Sequence, residues 1–259
     1  MMTTLIFRFA PSPNGRLHLG HAYSALLNEK MAREAGGRLL LRLEDIDTIR
    51  CTGPLVRACI DDLAWLGIIF EPNPRRQSEH MDDYKAALAK LDAMGLLYPC
   101  ACTRSELARL KDRLHDPDGQ PLYDGHCKIH GPAQAPAALR LDMVKAIAMA
   151  GPLERDPSIW GDVILARKDI GTSYHLSVVV DDALQGVTHV VRGMDMEQAT
   201  SIHLLLQNLL GLPHPTYRHH ELIRHETGRK LSKSAADRSL AEMRAEGARP
   251  QDVRALLGF

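Results

Sequence analysis

The chain has 259 residues, 45% of them hydrophobic and 25% charged, a composition ordinary for a folded globular protein and long enough for one domain carrying an insertion or for two. Its 32 basic and 32 acidic residues balance, which excludes a generally basic nucleic-acid coat and restricts any RNA contact to local patches. No apolar run is long enough to span a bilayer, and the amino end lacks the basic-then-apolar pattern of a signal peptide, so the cytoplasm is the expected compartment.

A strand is predicted over Leu5 to Phe9. It runs into the loop Pro11-Ser12-Pro13-Asn14-Gly15-Arg16-Leu17-His18-Leu19-Gly20-His21. An apolar-periodic helix follows from about Gly20, with Ala22, Ala25, Leu26, Glu29 and Ala32 on one stripe. His18 and His21 therefore fall at a helix amino terminus, where free backbone N–H groups and the positive end of the helix dipole favour a triphosphate. Their imidazoles add donors where charge accumulates during attack on phosphorus, and Gly20 lets a nucleotide approach the backbone closely.

Gly36-Gly37 ends this helix before Arg38 to Leu43 re-enter a sheet, completing a βαβ unit. Amphipathic helices are predicted at Asp61 to Leu66 and Met81 to Met94, around a turn at Pro72 to Pro74. From Tyr98 to about Gly171 the pattern is irregular and reads as an inserted domain. Cys51 and Cys59 are isolated packing cysteines. Cys100, Cys102 and Cys127 are different, because two closely spaced thiolates and a returning third suit a tetrahedral structural zinc site. Spacing leaves the fourth ligand open among Tyr123, His126 and His130.

Tyr174 to Val180 and Val187 to Val191 read as further strands, and about Glu197 to Leu210 as a helix at whose start Asp195 either contacts a nucleotide ribose or caps the helix, capping being favoured. His175, His189, His203, His219 and His220 have no spacing that marks them as ligands. Arg224-His-Glu-Thr-Gly228-Arg229 is a turn-forming basic stretch leading into Lys230-Leu-Ser-Lys233-Ser234, suited to a loop that closes its cations on phosphates. The remainder reads as short and helical. Basic patches occur at Arg104, Arg109, Lys111 and Arg113, and at Arg218, Arg224, Arg229, Lys230, Lys233 and Arg238, mostly solvated charges when taken singly. Arg8, Glu44 and Arg192 fall at or just past strand ends, where a substrate pocket forms in open α/β sheets. There Arg can clamp a carboxylate and Glu44 can hold an ammonium.

Arg8-Phe-Ala-Pro-Ser12-Pro-x-Gly15, Arg42-Leu-Glu44-Asp-Ile-Asp47, Val190-Val-Arg192-Gly-x-Asp195 and Lys230-Leu-Ser-Lys-Ser resemble, in order, the glutamyl branch of the class I aminoacyl-tRNA synthetases. The resemblance covers nearly the whole chain. Only 25 residues follow Ser234, where longer members continue into an anticodon-binding region, so the resemblance is to the truncated members of the branch. It implies an α/β fold, a Rossmann-like parallel sheet split by an inserted, zinc-binding, acceptor-type domain, with a short helical carboxyl end and no anticodon-binding domain.

The corresponding layout is 1–76 and 172–225 for the split catalytic domain, 77–171 for the insertion and 226–259 for the second ATP motif and tail. The implied activity is tRNA-independent activation of L-glutamate with ATP and Mg2+, then transfer to the queuosine base at the wobble position of tRNA(Asp). Charging of a tRNA 3′ end by a compact glutamyl enzyme is the alternative. His18, His21, Lys230 and Lys233 would be catalytic, with Pro11, Gly20, His18, His21 and Lys233 around ATP. Arg8, Ser12, Glu44, Tyr174 and Arg192 would bind glutamate, Ser12 and Tyr174 being added by the resemblance alone. The resemblance also favours Tyr123 as the ligand joining Cys100, Cys102 and Cys127 around one zinc. A monomer is expected. Met194 departs from the acidic residue usual in longer members.

Overall fold

A computed structural model describes residues 4–108, 114–131, 137–223 and 238–259. Along the chain come β1 (Ile6–Phe9), α1 (Leu19–Glu34), β2 (Arg38–Leu43), α2 (Gly53–Trp65), β3 (Arg75–Arg76), α3 (Met81–Ala93), β4 (Leu97–Cys100), α4 (Arg104–Ala108) and α5 (His126–His130). They are followed by β5 (Ala138–Leu141), α6 (Met143–Ala150), β6 (Ile164–Ala166), α7 (Tyr174–Leu184), β7 (His189–Gly193), α8 (Thr200–Leu210), β8 (Thr216–His220), α9 (Leu240–Ala245) and α10 (Pro250–Leu256). The chain divides into two compact units, one of 1–79, 186–197 and 215–259, the other of 80–185 and 198–214.

The first unit is built on a five-stranded sheet in the order β3-β2-β1-β7-β8, every neighbouring pair parallel. Parallel sheets are covered on both faces, which is why β2 reads as the nearly unbroken run Arg-Leu-Leu-Leu-Arg-Leu. Helix α1 buries Ala22, Ala25, Leu26, Asn28 and Ala32, a stripe at helical spacing. Asn28, fully buried, donates from Nδ2 to the Val191 carbonyl at 3.1 Å and so fixes α1 against β7. The helix ends at Gly36-Gly37 as the sequence indicates. A Cβ on Gly37 would lie 2.5 Å from the Leu5 carbonyl oxygen, so the return into β2 requires glycine there.

Leu240, Met243 and Val253 from α9 and α10 join the same core as Phe7, Leu26, Leu43 and Leu63. Each such leucine, fully buried, contributes about 1.5–3 kcal/mol. Arg254 of α10 donates to the Leu66 carbonyl at 3.0 Å and pairs with Glu29 at 3.0 Å, tying the carboxyl-terminal helices to α2 and α1.

Helix α2 begins at Gly53, earlier than the Asp61 expected. Pro54 sits in its first turn, a start signal that periodicity alone passes over. It carries Asp62, 1% exposed, with neither carboxylate oxygen hydrogen-bonded and Arg244 at 3.9 Å. Burial raises its pKa, against the opposing fields of Arg244 and Arg16. An acid whose folded pKa lies above its ordinary value loses folded-state stability as pH rises through that interval and does not regain it above. Asp62→Asn should therefore stabilise the protein by about 1 kcal/mol at pH 7, the relief of an unsatisfied buried charge. The gain should vanish near pH 3.5; thermal melting of both proteins across that range checks it, and a gap independent of pH would contradict it.

The second unit holds a three-stranded sheet in the order β4-β5-β6, antiparallel throughout, together with α3 to α8. The irregular pattern from Tyr98 to Gly171 thus conceals short antiparallel strands, too brief to show alternation. Tyr174 to Val180, expected as a strand, is instead the start of α7. Its valines favour strands by propensity, but Leu176 to Asp182 are buried without a break, and a helix enclosed on all sides carries no amphipathic signature. Tyr84 of α3, fully buried, donates its hydroxyl to Asp181 of α7 at 2.9 Å. No helix among the described residues is long and apolar enough to cross a membrane.

Candidate active site and candidate metal centre

Because β2, β1 and β7 are parallel neighbours, their carboxyl ends form one edge of the first unit; Pro11, Ser12 and His18 lie on the loop leaving β1 and Glu44 on the loop leaving β2. Those loops are joined directly. The Glu44 N–H donates to the Pro11 carbonyl at 3.0 Å, connecting the loop after β2 to the loop after β1. The Cys51 thiol lies 3.7 Å from Ser12 Oγ and 3.9 Å from the Glu44 carbonyl, so this cysteine braces both loops rather than merely filling space. Arg42, fully buried in β2, donates to Glu44 Oε1 at 3.3 Å and orients that carboxylate. Cys51 does not stand out in the sequence, whereas Arg42 heads the motif Arg42-Leu-Glu44-Asp-Ile-Asp47. The strand alternation that places 42 and 44 on one face is a further signal for Arg42.

Asp45 serves the fold. Its carboxylate accepts from Arg76 at 2.8 Å and from the backbone N–H and hydroxyl of Ser78, both at 2.9 Å. Arg8 is buried within β1 and paired in register with Leu40. Arg192 lies inside β7, one residue before its end, not beyond the strand as expected; pairing with β8 extends β7 to Gly193. Its guanidinium lies over the Tyr217 ring at 5.2 Å and its Nε donates to His219 Nε2 at 3.4 Å. Asp195 stands in a single 3-10 turn, Met194–Met196, while Ala199 occupies the cap position of α8, so the expected capping role does not hold.

His18 is the residue that starts α1. Its extended backbone precedes the helix, its Nδ1 accepts from the Gly20 N–H at 3.1 Å, and its own N–H donates to His21 Nδ1 at 3.2 Å, a reciprocal box built from two imidazoles with centroids 3.9 Å apart. A Cβ on Gly20 would sit 3.0 Å from the His18 ring. Lys230 and Lys233 lie outside the described residues, as do the rest of 224–237 and the basic residues at 109, 111 and 113. Ser239, six residues after Lys233, forms a β-bridge with His18, and the Leu240 N–H donates to the Leu17 carbonyl at 2.8 Å.

Tyr174 belongs to the second unit, as the first residue of α7. Its ring neighbours are His175 and His203, whose nitrogens stand 3.3 Å apart.

The second unit gathers the three cysteines. The sulfurs of Cys100, Cys102 and Cys127 all lie within 4.8 Å of one another, with Cys102 and Cys127 at 3.4 Å. The Tyr123 hydroxyl is 3.4 Å from both Cys100 and Cys102 and accepts from the Cys127 N–H at 2.8 Å. A tetrahedral ion with metal–sulfur bonds near 2.3 Å needs sulfurs about 3.8 Å apart, so these side chains fit one with little movement. His126 and His130 are outside the group of ligand atoms that could meet at one ion.

Burial alone would push the Cys100 thiol up, but hydrogen bonds from Tyr123 and Arg140 outweigh it and bring Cys100 down to about 7. Burial pushes Cys102 up to about 11 against the help of Tyr123. Three thiols in contact could hold a metal ion.

A helix begun by two histidines stands in the same unit as the parallel sheet that carries Arg8 and Arg192 and the Glu44 loop. Residues 4–258 match the family of tRNA synthetases class I (E and Q), catalytic domain, and the chain belongs to that family with its α/β fold. Within it the chain is 47% identical, over 98% of its own length and 100% of the relative's, to Glutamyl-Q tRNA(Asp) synthetase of Rhodobacter capsulatus. It is 39% identical to the protein of the same name from Symbiobacterium thermophilum, over 97% of the chain and 85% of that relative. Among solved structures it is similar to glutamate-tRNA synthetase from Elizabethkingia anophelis, with a TM-score of 0.77 and 24% identity over 99% of the chain; the chain spans 61% of that longer protein.

Proposed function

We propose that the chain condenses L-glutamate with ATP to glutamyl-adenylate without tRNA, then transfers the glutamyl group to the queuosine base at the wobble position of tRNA(Asp). The observation that carries this reading is the full-length similarity to Glutamyl-Q tRNA(Asp) synthetases combined with the imidazole-started helix α1. The glutamate α-carboxylate attacks the ATP α-phosphorus in line, the α–β phosphate bond breaks, and pyrophosphate leaves. No covalent enzyme nucleophile is needed.

The protein supplies position and charge. His18 and His21 face the phosphates at the positive end of α1, Pro11 and Gly20 line the nucleotide loop, and Lys230 and Lys233 bring cations from the other side. Arg8, Ser12, Glu44, Tyr174 and Arg192 recognise glutamate, with Arg42 and Cys51 holding Glu44 and Ser12 in place. Mg2+ supplies charge neutralisation on the phosphates when bound. A hydroxyl of the acceptor then attacks the adenylate carbonyl and AMP departs.

Cys100, Cys102, Cys127 and Tyr123 would hold one structural zinc, leaving no open position for substrate. In this reading 77–171 is an insertion between the catalytic segments 1–76 and 172–225, the remainder 226–259 carrying the second ATP motif, and the enzyme works in the cytoplasm.

Labelled glutamate, ATP and Mg2+ offered with tRNA(Asp) carrying queuosine should label that RNA, and the same tRNA lacking the base should stay unlabelled. Labelling of both would mean charging of the 3′ end and would overturn the proposal.

A further inference from the structure

We infer that Arg140 is a positioning residue of the cysteine site, where its guanidinium balances the charge of the thiolates and fixes the Tyr123 ring against them. The inference rests on the metal reading above. It starts from strand register. In the antiparallel pair of β4 and β5, Cys100 lies opposite Ala138 and Tyr98 opposite Arg140, which puts Arg140 diagonally beside Cys100 on one face of the sheet, a distance a long side chain spans.

Arg140 is 6% exposed, and its guanidinium carbon stands 3.9 Å from the centre of the Tyr123 ring. Its Nη1 donates to the Asp162 backbone carbonyl at 2.6 Å, while its Nε has no hydrogen-bond partner. The carboxylates nearby are otherwise engaged. Asp142 pairs with Lys128 at 2.6 Å and Lys145 at 3.7 Å, and Asp162 pairs with Lys128 at 3.6 Å and accepts from the Tyr98 hydroxyl at 2.6 Å. Arg140 thus donates to a neutral carbonyl and to Cys100, and no carboxylate among the described residues takes up its charge.

The cysteines provide a partner for that charge. Three thiolates and a neutral Tyr123 phenol around a divalent ion leave one net negative charge, and a buried net charge is costly unless an opposite one lies beside it. A single guanidinium stacked on the tyrosine brings the sum to zero. The planar group also holds the ring by cation–π attraction, keeping the phenol oxygen between the sulfurs.

The test measures zinc affinity of the full chain by competition with a chromophoric chelator, together with the thiolate-to-metal absorption of the cobalt-loaded protein. Arg140→Met, which keeps bulk and removes charge, should weaken zinc roughly 10–100-fold, the range seen when outer partners of metal ligands are lost. Arg140→Lys keeps the charge and should stay within about fivefold of the parent, with the cobalt absorption retained. An R140M affinity within about twofold of the parent overturns the inference. So does an R140K protein as weak as R140M, since packing and not charge would then be at stake. If R140M fails to fold, R140K decides alone: within fivefold supports, beyond it overturns. A parent protein that takes up neither zinc nor cobalt removes the metal reading and this inference with it.

Discussion

Asparagine in place of His18 should leave helix α1 intact and reduce adenylate formation by roughly two to three orders of magnitude, the loss typical when a preorganised donor to transition-state charge is removed. Two roles meet in this residue and the substitution separates them. As a cap, His18 accepts from the Gly20 N–H at 3.1 Å, and asparagine is among the best residues at such a position. As a donor, it offers an imidazole at the positive end of the helix, which asparagine cannot reproduce. His18→Ala should lose both, adding about 1 kcal/mol of instability, or roughly 2–4 °C in a protein of this size. Glutamate-dependent exchange of pyrophosphate into ATP, measured beside thermal melting, distinguishes them. H18N exchange within tenfold of the parent would reduce His18 to a helix cap.

Cys127→Ser should empty the metal centre and unfold the second unit at a markedly lower temperature. Cys127 is buried, shares a 3.4 Å contact with Cys102 and donates its N–H to Tyr123, so it joins both arms of the candidate ligand set. A ligand held at a thousand times its dissociation constant stabilises the folded state by about 4 kcal/mol, and losing it should lower the melting temperature by roughly 8–16 °C. Metal content should fall from one ion per chain to almost none. Excess chelator should reproduce the shift in the parent and leave C127S unaffected. A parent protein whose melting ignores chelator would show the three sulfurs to be a metal-free cluster.

Much of the first unit can be read from the chain because its signals are local. The glycine pair after α1, the leucine-rich β2 and the proline loop before His18 each act within a few residues. The second unit resists reading for a physical reason. Its strands are three or four residues long, and α7 is buried along most of its length, so neither period two nor period 3.6 survives in the sequence. The candidate site divides the same way. Arg8, Ser12, Glu44 and Arg192 are recognisable by type and motif, and Arg42 by its alternation with Glu44, whereas Cys51 and Arg140 act through partners that the loop path and the β4–β5 register bring near, which no linear spacing encodes. Tyr123 is intermediate: spacing leaves it level with two histidines, and its hydroxyl stands among the sulfurs.

Gly193 follows Arg192 with an ordinary negative φ, so its backbone angles would admit any residue. Space forbids it. A Cβ there would stand 2.8 Å from Leu222 Cδ2 and collide with the Asp195 carboxylate, and Leu222 lies eight residues before Lys230. In a saturation library selected for activity this position should favour the smallest residues, since any side chain there displaces the ends of Asp195 and Leu222 together, although it offers no side chain itself. What selection would be reading is clearance between two stretches of chain, and a larger residue surviving at Gly193 would be expected to carry second changes that shrink residues 195 and 222.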